Sequence, residues 1–167
     1  MTEPADTPAP VRWLTPDERA AWLALTGVLL LLPSALDSQM QRDRGITMFE
    51  YIVMAMLSEV PEHTLQLKVL AQLSNSSLSR LSHVVTRLEL RGWVRRTPSA
   101  ADGRVSVATL TDEGYDTVVA AAPGHVTTVR ELVFDGLAPG QVAELQSIAR
   151  SIVRRLDPEG RVGPAAP

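Results

Sequence analysis

A change of periodicity between residues 76 and 110 constrains the fold more than any other feature of this sequence. The stretch SSLSRLSHVVTRLELRG, residues 76–92, repeats its apolar side chains at helical spacing. The runs WVRRT and RVSVATL that follow it are typical of two short strands. The turn between the two runs, at 98–103, is longer than a tight hairpin needs. The sequence therefore predicts one amphipathic helix followed directly by a β-hairpin whose loop projects.

The two faces of this helix differ in chemistry. At about 100° per residue, one arc is apolar and contains Leu78, Leu81, Val84, Val85 and Leu88. The opposite arc contains Ser79, Arg80, Ser82, His83, Thr86 and Arg87. Solvent-facing arcs usually mix glutamate with lysine, whereas this one combines small hydroxyls with cations and has almost no carboxylate. Such a face suits the major groove of DNA, where hydroxyls and arginines meet base edges and phosphates. The alternative is an ordinary polar face on a surface helix.

Residues at both ends of the predicted helix add further groups of the kinds that contact DNA. Ser77 is placed to cap the start of the helix, which leaves backbone N–H groups free to meet a phosphate. At the other end, Gly92 is predicted to be the C-cap. The first strand then carries the adjacent cations Arg95 and Arg96. We expect these cations to add to the same DNA-binding surface.

The projecting turn carries Asp102 and Arg104. An arginine at this place fits a narrow minor groove, where the negative potential is strong. Because phosphate would repel Asp102, its predicted role is to hold an arginine in place. The alternative for the pair is an exposed salt bridge, which contributes little to stability.

Charge is concentrated in the same part of the chain. From residue 63 to residue 110 there are one lysine and six arginines against two acids, a net charge of +5. The remainder has nine basic and seventeen acidic residues, a net charge of −8. A basic middle flanked by acidic ends indicates a local polyanion-binding face. A solvated charged surface is the alternative.

The first 75 residues are predicted to be mainly helical. Thr15 caps a first helix, which Pro33 is expected to kink or divide. A second helix is predicted over 47–60. A third, short helix over 65–74 lacks the usual serine or acid near its start, so that end is expected to be poorly capped.

The last part of the chain returns to helices after the hairpin. A helix restarts at Thr111 and is interrupted at Pro123-Gly124, and the last helix spans 139–156. The proline- and glycine-rich ends, 1–14 and 157–167, are expected to be disordered tails. The predicted fold class is mainly α with a small β-hairpin wing, a winged helix-turn-helix with additional helices on both sides.

Several classes of function are not expected. The chain contains no cysteine, and His63, His83 and His125 are far apart, so neither thiol chemistry nor a metal site is predicted. The serines lie in no G-x-S-x-G setting and no catalytic pair stands out, so we expect neither an enzyme nor a cofactor. The apolar run at 22–32 is too short for a membrane span, and it is expected to be buried inside protein. Without a basic secretory start, the chain is predicted to be cytoplasmic.

The stretch from residue 70 to residue 114, LAQLSNSSLSRLSHVVTRLELRGWVRRTPSAADGRVSVATLTDEG, resembles the core of the MarR family of bacterial transcriptional regulators. The matching pieces are Leu70-Ala71, the serine-rich helix with Leu88, Arg91-Gly92 followed by Val94, the wing Asp102-x-Arg104, and LTDEG. They occur in order at the right spacing. A looser similarity extends over about 14–156.

The resemblance implies an obligate homodimer that binds pseudopalindromic double-stranded DNA and usually represses nearby genes. It assigns 15–45 and 112–156 to a helical dimerisation domain and 46–111 to the DNA-binding domain. The recognition helix would span 77–91, with Arg104 as the wing arginine and Asp102 as its partner. The side chains that would face DNA on the helix are Ser77, Ser79, Arg80, Ser82, His83 and Arg87.

Many members release DNA when a small, often aromatic or phenolic, ligand enters a cleft between the two domains. Met and aromatic side chains adapt to apolar ligands, so the candidates to line such a cleft are Trp22, Met40, Met48 and Tyr51. At helical spacing these side chains are more often part of a hydrophobic core. The remaining alternatives are a regulator without ligand response, an activator, and a winged-helix module that binds proteins.

Overall fold

A computed structural model describes residues 11–163. The α-helices of this part are α1 Pro16–Arg44, α2 Met48–Ser58, α3 Leu67–Leu73, α4 Leu78–Leu90, α5 Asp112–Val129 and α6 Gln141–Leu156. The strands are β1 Thr64–Gln66, β2 Val94–Pro98 and β3 Ser106–Leu110. A 3-10 turn, Pro61–His63, precedes β1, and a π-helical turn, Arg130–Phe134, follows α5. The predicted fold class is confirmed, and the expected tails lie partly outside the described residues.

The helices α1 and α5 both continue through a proline, so a division of α1 at Pro33 and the predicted interruption at Pro123-Gly124 were wrong, whereas a kink at Pro33 stays a prediction. A proline removes one backbone hydrogen bond and leaves the carbonyl four residues earlier without its donor. Both prolines are exposed, as are the residues four positions before them, Leu29 and Val119. Water can therefore satisfy the freed carbonyls, and the helices are not interrupted.

The chain divides into two compact units, of which the first ends at Ser34 and the second begins at Ala35. This boundary lies within α1 and not at residue 45, where the sequence placed the end of the first part of a dimerisation domain. The division into 15–45 with 112–156 and 46–111 stays a prediction.

The core of the second unit gathers around the winged helix. Its fully buried large side chains are Met40, Ile46, Val53, Met54, Leu57, Leu70, Leu81, Val85 and Leu88. The predicted apolar arc of α4 is thus confirmed at Leu81, Val84, Val85 and Leu88. Leu78 is the exception, since its side chain is 52% exposed. It lies in the first turn of α4, where the helix extends beyond the core.

The sheet has three strands in the order β1-β3-β2, all antiparallel, and not the two-stranded hairpin expected. In the register of the wing, Arg95 faces Thr109 and Thr97 faces Val107. The additional strand β1 adds to β3, where the hydroxyls of Thr64 and Thr109 lie 2.8 Å apart. With three residues, β1 is too short to show an alternating pattern in the sequence.

Local capping explains where the helices around the site begin and end. Thr111 accepts a hydrogen bond from the N–H of Gly114 and caps α5 as predicted. Gly92 has a φ of +76° and donates to the carbonyl of Glu89, and Trp93 donates to that of Leu88. This pair of bonds is a Schellman motif, which ends α4 and turns the chain into β2. The start of α3 has no side-chain cap, also as predicted.

Candidate nucleic-acid interface

The helix α4 presents its polar face to solvent. Ser77 caps the helix, because its Oγ accepts a hydrogen bond from the N–H of Arg80 at 3.2 Å. With Leu81, Val84, Val85 and Leu88 buried on one side, the other side is left open. The exposed members of the predicted face are Ser77, Ser79, Arg80, His83, Thr86 and Arg87, and Ser82 is half-buried. Whether these side chains contact DNA stays a prediction.

Arg87 forms a charged hydrogen bond with the buried carboxylate of Glu50. Its Nε donates to Oε1 of Glu50 at 2.9 Å, while the Arg87 side chain remains 52% exposed and that of Glu50 only 5%. The other Glu50 oxygen accepts the backbone N–H of Thr47, and Oγ1 of Thr47 accepts the N–H of Glu50. This reciprocal pair is a capping box at the start of α2. The motif T-x-x-E at 47–50 is a local signal in the sequence, although its link to Arg87 is not.

Opposing influences act on the pKa of Glu50. Burial raises the pKa, since it disfavours the charged form. The hydrogen bonds from the backbone of Thr47 and from Arg87 lower it, and together with the charge of Arg87 they outweigh burial. The net result is a pKa below the ordinary value of this group. Glu50 therefore stabilises the fold as a carboxylate, and this contribution is lost as the pH falls through its lowered pKa.

Replacing Glu50 with glutamine is expected to reduce the free energy of unfolding at pH 7 by about 1 to 3 kcal/mol, because a charged hydrogen bond to Arg87 becomes a neutral one. The difference from wild type should shrink as the pH falls below the ordinary pKa of a glutamate and through the lowered pKa of Glu50, because the wild-type carboxylate then becomes protonated as well. Urea unfolding at pH 7 and at about pH 3 measures the difference with the Glu50 carboxylate charged and with much of its charge removed. The exposed Glu59, at the end of α2, provides the control Glu59→Gln. An equal loss of stability at both pH values would contradict the role of the charge.

Arg96 joins the wing to α4. Its guanidinium donates to Oγ and the carbonyl of Ser82 and to Oγ1 of Thr86, at 3.1 to 3.2 Å. It also pairs with Glu89 at 3.4 Å, and the Glu89 carboxylate accepts the backbone N–H of Arg96. Three of the predicted DNA contacts, Ser82, Thr86 and Arg96, are thus engaged with one another. Arg96 therefore holds β2 against α4, and the periodicity of the sequence could not reveal this contact.

Other arginines stack on aromatic rings. The guanidinium of Arg80 lies 4.4 Å from the ring centre of Phe49, and that of Arg91 lies 4.8 Å from Trp93. Arg91 also donates to the carbonyl of Gly45 at 3.0 Å. Both contacts orient a guanidinium group with little loss of side-chain conformational entropy, since the ring and the guanidinium are planar and rigid. Arg80 remains exposed at the start of α4.

The tip of the wing places Arg104 in solvent. The Asp102 carboxylate accepts the backbone N–H of Arg104 at 3.0 Å and lies 3.3 Å from its Nε. The side chain of Arg104 is 93% exposed and that of Asp102 is 47% exposed. Asp102 and Arg104 thus form a weak, exposed surface pair, and a role of Asp102 in positioning the arginine for DNA stays a prediction. Arg95 is likewise exposed on β2.

The residues suggested for an effector cleft have different surroundings. Met40 is fully buried and Tyr51 is 9% exposed, and both belong to the hydrophobic core. Met48 packs against the same core. Trp22, in the first unit, is 54% exposed. The packing of Met40, Met48 and Tyr51 favours the alternative that these side chains serve the core.

Within residues 11–163 the structure contains no cluster of three or more side chains of the metal-binding types. His63 packs on Tyr115 with ring centres 5.2 Å apart, and His125 on Tyr51 at 5.0 Å. His83 lies separately on α4. Each histidine therefore has its own surroundings.

One described helix, α1, is long and apolar enough to cross a membrane by length and composition. The run at 22–32 is by itself too short for a span, but the helix extends well beyond that run on both sides. The expected burial of this run is not seen within the single chain, since the most apolar part of α1 is exposed there.

Comparisons with known proteins agree with this geometry. The family model described as MarR family matches residues 46–106. The crystal structure of Sco3205, a MarR family transcriptional regulator from Streptomyces coelicolor in complex with DNA, has a TM-score of 0.85 and 42% sequence identity. The match covers 92% of this chain and 95% of that one.

Two further relatives point the same way. AbsC, a MarR family transcriptional regulator from the same organism, has a TM-score of 0.83 and 36% identity over 89% of this chain and all of its own. The transcriptional repressor MprA of Escherichia coli (strain K12) is 25% identical over 120 residues, which are 72% of this chain and 68% of the relative. The chain therefore belongs to the MarR family of transcriptional regulators, a family of DNA-binding proteins and not of enzymes.

Proposed function

We propose that the protein binds double-stranded DNA sequence-specifically, as a homodimer on a pseudopalindromic operator, and represses transcription. The observation that carries the proposal is the exposed face of α4, on which hydroxyls alternate with Arg80, His83 and Arg87 above a fully apolar underside. A winged-helix module that binds proteins would need an apolar or mixed-charge face at this place. The similarity to MprA, a transcriptional repressor, supports repression over activation.

In the proposed complex, α4 lies in the major groove. Arg80 and His83 reach base edges or phosphates from the first turns, and Arg87, whose Nε stays bonded to Glu50, follows one turn later. The backbone N–H groups at the start of α4 meet a phosphate. The wing then carries Arg104 into the adjacent minor groove, where a narrow groove concentrates negative potential.

The cations of this surface divide into two groups. Arg91 and Arg96 are engaged with carbonyls, hydroxyls and a carboxylate of the protein itself. Arg95 and Arg104 project into solvent. We infer that the first group sets the shape of the interface and that the second group, with Arg80, supplies most of its attraction for phosphate.

The apolar surface of α6 supports the homodimer. Every residue of this helix is exposed in the single chain. Its large apolar side chains are Val142, Leu145, Ile148, Ile152, Val153 and Leu156. A soluble chain rarely leaves such a surface in water, so a second copy is the proposed cover. The exposed apolar residues of α1, which include Trp22 and Leu29, belong to the same proposed dimerisation domain of 15–45 and 112–156. As a regulator of DNA, the protein is proposed to be cytoplasmic.

A selection of bound duplexes from a random pool, carried out on the purified full-length protein, tests the proposed function. We expect two inverted half-sites whose centres are about one helical turn apart, or a multiple of it, because the two recognition helices of a dimer are related by a two-fold axis. Enrichment of no sequence, or of a single half-site without symmetry, would contradict the proposal.

Removal of a projecting arginine should weaken binding without unfolding the dimer. For Arg104→Ala, we expect the slope of log K against log salt concentration to fall by about one unit for each bound subunit, because one phosphate or groove contact is lost. Arg80→Ala should lower affinity through the major groove. A gel-shift titration at several salt concentrations measures both.

The control for these variants is Arg12→Ala, which removes a cation from an exposed ion pair with Glu18 outside the winged helix. It should leave the salt slope unchanged. Full affinity of Arg104→Ala would mean that the wing does not touch DNA.

Release from DNA by a small aromatic or phenolic effector is proposed as the regulation of this repressor, and a regulator without an effector is its alternative. Trp22, Met40, Met48 and Tyr51 remain its candidate residues, and the core positions of Met40 and Tyr51 favour the alternative of a regulator without an effector. Displacement of the protein from its selected duplex by simple aromatic acids and phenols distinguishes the two.

A further inference from the structure

The C-terminal segment 157–163, expected as part of a disordered tail, is folded against the helix-turn-helix. The N–H of Gly163 donates to the carbonyl of Leu73, the last residue of α3, at 2.9 Å. Within the segment, the carboxylate of Asp157 accepts the N–H of Val162 at 2.8 Å, and its carbonyl accepts that of Gly160. The bond from Val162 is the main reason that the pKa of Asp157 lies below its ordinary value. These bonds give the segment a defined turn.

An open groove of about 540 Å³ lies between this segment and the turn that precedes α4. The side of the helix-turn-helix contributes neutral polar groups, among them Gln72, Ser76 and the capping Ser77. The segment contributes Arg161 and also Asp157, whose carboxylate is engaged with the N–H of Val162. The segment thereby brings a cation beside the start of α4. The α3–α4 turn itself, residues 74–77, contains no lysine or arginine.

Arg161 repeats the chemistry of the wing. The triplet Glu159-Gly160-Arg161 has the same pattern as Asp102-Gly103-Arg104, an acid, a glycine and an arginine. In both, the arginine pairs with the acid two residues earlier, at 2.5 Å in the segment and 3.3 Å in the wing. Both arginine side chains are largely exposed, Arg161 by 53%. The wing follows the C-terminal end of α4, whereas the segment lies beside its N-terminal end.

We propose that the segment 157–163 is a second wing and that Arg161 binds the phosphate backbone beside the start of α4. The inference rests on the proposed DNA-binding function and extends it to a part of the chain outside the helix-turn-helix and the first wing. Glu159 holds Arg161 near its binding position in the free protein, and phosphate takes its place in the complex. An exposed ion pair is worth little, so this exchange of partners costs little.

The test uses the full-length protein and a duplex obtained from the selection described above. Fluorescence anisotropy at several salt concentrations gives the slope of log K against log salt. For Arg161→Ala we expect a slope smaller by about one unit for each bound subunit. Arg161→Lys should restore most of it, because a lysine also binds phosphate as a point charge. Glu159→Gln should strengthen binding, since it removes a carboxylate from the neighbourhood of phosphate.

The matched control is Arg130→Ala. Arg130 is an exposed arginine in an ion pair with Asp135, in the same unit but outside the winged helix, and its loss should leave the slope unchanged. Truncation after Leu156 removes the segment as a whole and should reduce the slope at least as much as Arg161→Ala. Sedimentation and circular dichroism of each variant establish that assembly and fold are retained.

The outcomes separate the two proposals. If wild-type protein selects no duplex, the proposed function fails. If wild type binds its duplex and both Arg161→Ala and the truncation keep the wild-type slope, DNA binding stands and the second wing is overturned. A slope that falls equally in Arg130→Ala would also overturn it, because the effect would then come from net charge alone.

Discussion

Replacing Gly114 with alanine is expected to destabilise the winged helix by about 3 kcal/mol or more, an effect at or above the usual range for overpacked sites. A Cβ atom at this position would collide with the carbonyl oxygen of Trp93 and lie 2.8 Å from Cδ1 of Leu110. The Trp93 carbonyl cannot simply move, because it accepts the backbone N–H of Thr111 at 3.0 Å. Urea unfolding followed by circular dichroism measures the loss.

The chain offers a matched control at the tip of the wing. Gly103 has an ordinary φ, and no heavy atom lies within 4 Å of the place that a Cβ would occupy, so Gly103→Ala should change stability by less than about 0.5 kcal/mol. Alanine at position 103 restricts the backbone without adding a contact, so the effect of Gly103→Ala on DNA affinity also measures how much the flexibility of glycine matters at the wing tip. Equal stability of the two variants would show that the close approach of Gly114 to Trp93 is not a real constraint.

Replacing Ile148 with aspartate is expected to dissociate the proposed dimer and to lower operator affinity by about 100-fold or more. Ile148 is 60% exposed in the single chain and lies between Leu145 and Ile152 at helical spacing. In a dimer that buries this stripe, an unpaired carboxylate would have to be desolvated. A monomer reaches one half-site at a time and loses the gain in effective concentration that a linked second site provides. Sedimentation equilibrium and anisotropy titration measure the two effects.

Ser147→Asp is the control for this substitution. It introduces the same charge one residue away, on the side of α6 that carries Glu144 and Ser151. We expect the dimer and its DNA affinity to survive. A dimer that withstands Ile148→Asp, or that is lost equally in both variants, would count against α6 as the interface.

Local patterns in the sequence predicted the parts of the site that depend on neighbouring residues. The alternation of apolar and polar side chains predicted the buried underside of α4, and Ser77, Gly92 and Thr111 predicted where helices begin and end. The pairing of Asp102 with Arg104 was also accessible, since the two residues lie close together in one turn. In each case the interaction spans no more than a few residues, and helical or turn geometry dictates it.

Partners that are distant in the sequence could not be found in this way. Glu50 and Arg87 are separated by 37 residues, and the bond between Gly163 and Leu73 joins the segment 157–163 to α3. Arg96 resembled a free cation on a strand, yet its side chain turns onto α4. Composition could not distinguish an arginine directed at DNA from one that holds the protein together.

The residue pattern was thus sufficient for the fold class, for the family and for the helix proposed to face DNA, because amphipathic periodicity and capping act over a few residues. The tertiary packing decided which cations remain free, which prolines are tolerated and where the segment 157–163 lies. These outcomes depend on whether a group meets water or another side chain once the core has formed. Arg104 and Arg96 have the same chemistry and differ only in that surrounding, 93% exposed in one case and 26% in the other.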